Sequence, residues 1–417
     1  MQRTTMPKLA IIASHPIQYY APWFRYLAQE PDLDLRVFYL WDVGAQQTID
    51  PGFRQSIEWD IPLLDGYAYE FVPNTSDRPN TNHFWGLQNP TLAQQVAAYQ
   101  PDAVFCTLYN YASLYRFIFT WRQCPLLFRG DSHRLVPAKG VKDWARQVWI
   151  STIYRRFSAC LYVGQANKHY FQYHGVPSAR LFFAPHSVDN GRFMGISAIA
   201  TQEAQRWKQS LGIPGEHRVI LFAGKFIAKK RPLDLLQAFI QAKLTNVSLL
   251  FVGAGELEVD LKAQAASQPN VYFAPFQNQS LMPRTLAIAD LLVLPSYGSG
   301  ETWGLIVNEA MCLGKPIVVS HHVGCGADLV HPERNGFIFS AGDVQHLSQV
   351  LQQAFMESDL TQMGRESLAI IEHHSYTQMT KGLKAALESV RENSGRMAIP
   401  GNRQNHLPGD SSSPSTP

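Results

Sequence analysis

The chain has 417 residues, 46% hydrophobic and 17% charged, which is enough apolar material for two packed domains and excludes a disordered or fibrous chain. A formal net charge of +3 is too small for a nucleic-acid-binding protein. The five cysteines (Cys106, Cys124, Cys160, Cys312 and Cys325) have neither disulfide-framework nor zinc-ligand spacing, so a reducing cytoplasm is the expected location and no metal site is expected.

In chain order, residues 1–6 are short and polar, and Lys8–Ile12 is too brief for the apolar core of a signal peptide. No run of about 18 apolar residues exists, so no membrane span is expected. Lys8–Ser14 (KLAIIAS) and Leu35–Leu40 (LRVFYL) read as buried strands on either side of a helix over Pro22–Gln29. Val43–Asn89 is rich in proline, aspartate and aromatics and reads as an irregular excursion at one end of a sheet. Ala103–Cys106, Leu126–Phe128 and Leu161–Val163 read as further strands, with helical patterns at Leu92–Tyr99 and Val141–Phe157. Such alternation predicts a parallel sheet covered by helices on both faces.

Asn190–Ile213 is polar and marks a seam. Strand patterns restart at Arg218–Ala223, Ser248–Val252, Val271–Phe273, Leu291–Leu294 and Pro316–Ser320, with helices at Pro232–Ala242 and Glu256–Ala266. The expected fold is α/β, with two doubly wound Rossmann-like domains facing a cleft at the carboxyl ends of their strands. The expected limits are 1–200 for the first domain and 201–375 for the second. A C-terminal helix over 376–393 is positioned to return to the first domain, and a disordered tail follows over 394–417.

Tyr297–Ser320 (YGSGETWGLIVNEAMCLGKPIVVS) carries the densest chemical signal. Ser299-Gly300 open a loop that lets backbone approach a ligand, and a helix is predicted to begin near Thr302 or Trp303. The first amides of that helix are unpaired and suit a phosphate. Glu301 and Glu309 stand roughly 12 Å apart along a helix, too far to share one proton or one metal. They suit hydroxyls at two ends of an extended ligand, which is the shape of a nucleoside diphosphate sugar. Phe222–Phe239 (FAGKFIAKKRPLDLLQAF) reads as strand, glycine, basic loop and helix. Lys225 and Lys230 at the strand's carboxyl end would neutralise a diphosphate. Each motif also has a plainer reading, as unrelated surface glutamates and as a solvated basic turn.

Taken in order, these motifs resemble the retaining nucleotide-sugar glycosyltransferases of family 4 (group 1), which have the GT-B fold. Gly224, Lys225 and Lys230 match that family's Gly-Arg-x4-Lys element, and Ser299, Glu301, Gly304, Leu305, Glu309 and Ala310 match its Glu-x7-Glu frame. Gly314–Val318, Phe251–Glu256 (FVGAGE) and His331–Phe339 (HPERNGFIF) match further segments over about 150 residues, whereas the first half is similar mainly at Ala184–Phe193 (APHSVDNGRF). The resemblance implies that Lys225 and Lys230, with Gly224 in their turn, bind the donor phosphates, and that Glu309 holds the ribose hydroxyls. Glu301 and the amides of Trp303, Gly304 and Leu305 would face the donor sugar and phosphate. The amides of Phe276 and Gln277 would flank the base. It further implies a UDP-, GDP- or ADP-sugar donor, a glycan or lipid-linked acceptor, retention of configuration, no metal or other cofactor, and a role in polysaccharide or cell-envelope synthesis.

The chain also departs from the family pattern. Lys225 replaces an arginine and supplies charge without a bidentate fork. The first loop, Ser14–Phe24 (SHPIQYYAPWF), has no glycine; His15 and Gln18 there are candidates for acceptor or phosphate contact, or belong to a rigid proline turn. In Phe128–His133 (FRGDSH), Asp131 falls closest to a histidine of the family. Asp131 or His133 is a candidate for contact with donor sugar or acceptor, against a turn cap and a solvated imidazole. Lys139–Ala159 (KGVKDWARQVWISTIYRRFSA) interleaves basic and aromatic residues. It reads either as a helix on the anionic inner face of a membrane, or as a helix packed on the sheet with a charged outer face. The competing functions are a nucleotide-sugar epimerase or hydrolase and a non-catalytic sugar-nucleotide binding protein. A dehydrogenase is disfavoured, because Val252–Glu256 lacks the third glycine of the dinucleotide fingerprint.

Overall fold

A computed structural model describes residues 6–44, 48–50, 52–53, 55–136 and 140–397. Lys139 and most of the expected tail, residues 398–417, lie outside the described residues. The chain opens with β1 (Lys8–Ala13) and β2 (Asp34–Tyr39), followed by a small antiparallel hairpin of β3 (Thr48–Asp50) and β4 (Gln55–Ile57). β5 (Ala68–Phe71), β6 (Ala103–Cys106), β7 (Leu126–Gly130), β8 (Ala159–Tyr162) and β9 (Leu181–Phe183) complete a parallel sheet ordered β5-β2-β1-β6-β7-β8-β9. β10 (Arg218–Ala223), β11 (Val247–Val252), β12 (Val271–Ala274), β13 (Leu291–Leu294), β14 (Ile317–Ser320) and β15 (Gly336–Phe339) form a second parallel sheet, ordered β12-β11-β10-β13-β14-β15. The chain direction across each sheet reverses once, between β1 and β6 and between β10 and β13, and such switch points are where α/β sheets bind ligands.

The strands are apolar runs because helices cover both faces. All four residues of β6 (AVFC) and of β13 (LLVL) are buried, as a parallel sheet between helical layers requires. The seam is helical: Ser197–Ser210 buries Ala200 and Ala204 in the same apolar cluster as Val219 and Leu221 of β10.

The last helix, Tyr376–Met397, runs past residue 393, where the composition changes. Met379, Leu383, Ala386 and Val390 join Leu9, Ile11 and Trp23 in one first-domain core. Trp23 Nε1 donates to Thr380 Oγ1 (3.1 Å), and Lys384 Nζ meets Asp32 (2.6 Å) and Glu30. The chain therefore crosses between the domains twice, and the crossings are bonded to each other. Ser187 Oγ donates to the His374 carbonyl (2.9 Å) and Asn190 Nδ2 to that of Ile371 (3.2 Å).

Three expectations are corrected. The helix expected from Thr302 or Trp303 begins at Leu305, because Gly304 sits at φ 100° and breaks the helical path, while Glu301 lies in the loop as expected. Val43–Asn89 holds β5 and the hairpin, whose short strands give little periodic signal. The helix Val141–Tyr154 has an apolar solvent face, with Val141, Trp144, Val148 and Trp149 exposed. Among the described residues, no helix is long and apolar enough to cross a membrane.

Leu383 is fully buried against the first domain. Leu383→Ala is expected to cost about 2–5 kcal/mol. An unchanged urea midpoint would show that the last helix adds nothing to that core.

Candidate active site

Loops from the carboxyl ends of both sheets enclose a cleft of about 390 Å³. The loop after β1 supplies Gln18 and Tyr19, that after β7 supplies Asp131, and those after β10 and β13 supply Lys225, Lys230 and Glu301–Leu305. Gly224, Phe276, Gln277 and Glu309 also line it.

Lys230 Nζ lies 2.5 Å from Glu301 Oε2, and Ser296 Oγ donates to the same oxygen (2.9 Å). Burial opposes ionisation of Glu301, but the Lys230 cation outweighs it and holds the carboxyl below its usual range. Lys229 Nζ donates to the Gly300 carbonyl (2.9 Å) and ties the basic loop to the Glu301 loop. Lys225 reaches under the first-domain hairpin, its Nζ 5.0 Å from the Phe53 ring centre. The positive loop and the carboxylate therefore form one preorganised unit at the switch point of the second sheet.

Glu309 is 1% exposed. Burial pushes its carboxyl up to about 7, against the attraction of Arg192 and hydrogen bonds from Gln279 and Tyr19. Its Oε1 has no hydrogen-bond partner among the described residues. Arg192 is itself spent on Gln279, donating to its carbonyl and side-chain oxygens (2.8 Å each). A buried, unsatisfied acceptor in a cleft wall is a position for ligand hydroxyls.

On the opposite wall, Thr302 Oγ1 donates to Asp131 Oδ2 (2.7 Å), and His186 Nε2 lies 3.4 Å from the same atom. Burial opposes ionisation of Asp131, but these partners bring its carboxyl to about 2. Burial first, and then the Arg129 charge, lower the pKa of His186 and keep the imidazole neutral. Arg129 Nη2 faces His186 Nδ1 (3.3 Å), so Nδ1 accepts and Nε2–H donates to Asp131. Arg129 is fully buried and also donates to the Pro185 carbonyl and the Tyr20 hydroxyl.

His133 is neither solvated nor part of the cleft wall. It is buried, with Nε2 bonded to the Glu301 carbonyl (3.2 Å) and Nδ1 accepting from the Leu135 amide (3.3 Å). His15 also lies away from the wall. Its ring packs on Trp41, its Nδ1 has no partner among the described residues, and burial lowers its pKa to about 4. Trp303 is buried and donates from Nε1 to Asn308 (2.8 Å), so its indole serves packing while its backbone borders the cleft.

Sequence reasoning missed Tyr19, Phe53, Trp59, His186 and Thr302, which also line the cleft. Phe53, after the first hairpin strand, sits 4.6 Å from the Phe276 ring, and Trp59 sits 6.5 Å from it. Asn278 Nδ2 donates to the Glu58 carbonyl (2.6 Å), and the Ser280 amide donates to Asp60 (3.0 Å). The excursion from the first domain thus straps the Phe276–Gln277 turn of the second. Its aromatic content was the available signal; its destination was not readable. Tyr19 adjoins the candidate Gln18, and His186 falls within the segment Ala184–Phe193. Among the described residues, no three His, Cys, Asp or Glu side chains converge as a metal-ligand set.

Residues 203–367 match the sequence model of the glycosyl transferases group 1 family. A sulfoquinovosyl transferase of Arabidopsis thaliana is 31% identical over 146 residues, 34% of this chain and 27% of that protein. A D-inositol 3-phosphate glycosyltransferase of Mycobacterium marinum is 28% identical over 197 residues, 45% of this chain and 41% of that protein. The chain therefore spans well under half the length of these curated relatives. In structure, Anabaena Alr3699/HepE, solved with UDP and glucose, aligns over 92% of this chain and 100% of its own with a TM-score of 0.68 and 17% identity. A sucrose-phosphate synthase from Thermosynechococcus elongatus aligns over 94% and 99% with a TM-score of 0.66 and 16% identity. The chain has the two-domain GT-B fold of glycosyltransferases, and its second domain carries the group 1 sequence pattern.

Proposed function

We propose that the chain is a retaining family 4 glycosyltransferase. It moves a hexose-type sugar from a nucleoside diphosphate sugar to a hydroxyl of a glycan or glycolipid, in cytoplasmic polysaccharide or cell-envelope synthesis. One observation carries this reading. Lys225, Lys230 and Glu301 line the cleft at the switch point of the second sheet, and the same cleft ends in Glu309, whose Oε1 has no partner among the described residues. A diphosphate fits against the lysines, ribose hydroxyls against Glu309, and a base beside the Phe276–Gln277 turn, where the Phe53–Trp59 strap closes on it. The lysines and the amides of Trp303, Gly304 and Leu305 would stabilise charge on the departing diphosphate, the largest charge change of the reaction. Attack from the side of departure retains configuration, with the diphosphate taking the acceptor's proton. Asp131, ionised at the sugar end, accepts a hydrogen bond from donor sugar or acceptor. UDP-sugars are the first donors to test, given the UDP in the structurally similar HepE. An epimerase or hydrolase could use the same cleft, but the group 1 match over 203–367 favours transfer.

The test is calorimetry and thermal shift with UDP, GDP, ADP and their sugars, with and without EDTA. One nucleotide is expected to bind regardless of EDTA. Binding should be lost in a folded Lys230→Ala and weakened in Lys225→Gln. Failure of every nucleotide, with anionic vesicles present as well as absent, would sink the donor reading.

Hydroxyls donating to Glu309 favour its charged form, so nucleotide binding near pH 6 should release protons and weaken as pH falls through about 7. Glu309→Gln should abolish that proton release. The folded state holds this proton above the unfolded carboxyl pKa, so ionisation costs stability as pH rises from about 4.5 to 7. Glu309→Gln should therefore be neutral for stability near pH 4.5 and stabilising by on the order of 2–3 kcal/mol at pH 8. Proton release in Glu309→Gln that matches the parent would remove Glu309 from the ligand site, and a matching pH dependence of melting would remove its raised pKa.

Phe53→Ala should raise the nucleotide Kd about fivefold, because an aromatic contact contributes on the order of 1 kcal/mol, and should lower the melting temperature of the free protein slightly through the lost Phe276 contact. An unaltered Kd would mean that the strap does not touch the base.

A further inference from the structure

The helix Val141–Tyr154 buries only Ile150, Ile153 and Tyr154. Val141, Trp144, Ala145, Val148 and Trp149 recur at i, i+3, i+4, i+7 and i+8, the spacing of an apolar stripe that normally faces a core. Here the stripe faces water, with Val141 81%, Trp144 65%, and Val148 and Trp149 each 48% exposed. The stripe continues onto neighbouring elements. Trp149 stacks on Tyr115 at 5.6 Å with rings 9° from parallel, and donates to the Tyr115 hydroxyl (2.9 Å). Tyr115 in turn meets Phe84 at 5.1 Å, and Phe84 meets Trp85, which is 62% exposed. Three tryptophans thus lie on one solvent face of the first domain. A soluble monomer rarely leaves so large an apolar patch uncovered.

Around the stripe and the helix that carries Tyr115 the charges are mainly positive, while the loop bonded to Trp85 brings one exposed aspartate, Asp77, next to Arg78. Lys142 and Arg146 flank the stripe on its own helix, and Arg116 and Arg122 are exposed on and just after the helix that carries Tyr115. Between Leu108 and Ser158 the only carboxylates are Asp131 and Asp143. Asp131 is committed to the cleft, and Asp143 pairs with Arg134 at 3.2 Å. Tryptophan with an apolar body and a polar N–H, set mainly among cations, matches the headgroup layer of an anionic bilayer. A protein partner would need carboxylates spaced to meet scattered cations, whereas a lipid surface answers them at any spacing.

We infer that this aromatic and basic face is a docking surface for an anionic lipid membrane, on which the first domain lies with its helix Val141–Tyr154 in the headgroup plane. The inference stands on the face itself and is independent of the donor cleft.

The experiment is co-sedimentation of the full chain with extruded vesicles, either pure phosphatidylcholine or phosphatidylcholine with one-third phosphatidylglycerol. Binding is expected only to the anionic vesicles and should fall as salt is raised from about 0.1 M, where the Debye length is about 10 Å, towards 1 M. Trp144→Ser combined with Val148→Ser removes exposed side chains, so folding is retained, and should weaken partition about tenfold or more. Lys142→Gln and Arg146→Gln should each weaken it about fivefold. Two outcomes overturn the inference. One is failure to bind anionic vesicles, or binding that the Trp144/Val148 variant leaves intact. The other is a concentration-dependent dimer, seen by sedimentation velocity, that the same variant dissolves, since a second copy would then be the occupant.

Discussion

Glu301 carries a negative charge that is almost entirely out of water, and much of the cleft exists to keep it there. Lys230 answers the charge and Ser296 donates to the same oxygen, while the Glu301 carbonyl takes the Gly324 amide (3.1 Å) and the His133 ring. Removing one partner of such a buried pair costs about 3–5 kcal/mol, because the other charge is left unanswered. The loop is therefore fixed before any ligand arrives. A Cβ at Gly324 would lie 1.8 Å from the Thr302 carbonyl, so the two backbones can run this close only with glycine there. Thr302, next in the chain, then reaches the other domain at Asp131.

Two carboxylates of the cleft wall are met from the facing domain: Glu309 by Tyr19, and Asp131 by Thr302. Behind Asp131 stand neutral His186 and buried Arg129, which fix its orientation through one tautomer. Together with the Phe53–Phe276 and Asp60–Ser280 contacts, these describe a cleft across which hydrogen bonds to charged groups and a tilted ring contact link the domains. An apolar interface would resist opening more evenly. A polar one can exchange its partners for ligand hydroxyls and phosphates.

The second domain was legible in the sequence because its information is local. A strand such as Leu291–Leu294 is buried on both faces, and the residues around Lys230 and Glu301 keep their neighbours within a few positions. Start points were less legible: the helix after Glu301 begins at Leu305 because a backbone angle at Gly304, not a side-chain pattern, decides it. The first domain's share of the cleft was mostly hidden. Phe53 and Tyr19 act on residues more than two hundred positions away, and His186 on Asp131, 55 positions away; no periodicity reports that. The stripe on Val141–Tyr154 was legible as a stripe, but its direction was not, since spacing gives a face and not what lies against it.

The return of the last helix to the first domain has a consequence for how the chain is made. Leu9, Ile11 and Trp23 emerge from the ribosome early, yet the residues that cover them, Leu383, Ala386 and Val390, are synthesised after the whole second domain. At about 5–20 residues per second, some two hundred residues separate the seam from that helix by roughly 10–40 s. For that interval the part of the first sheet at β8 and β9 lacks its final cover, while the second domain is contiguous in the chain and can complete its core. The core of the half made first is thus completed only after the half made second has been synthesised.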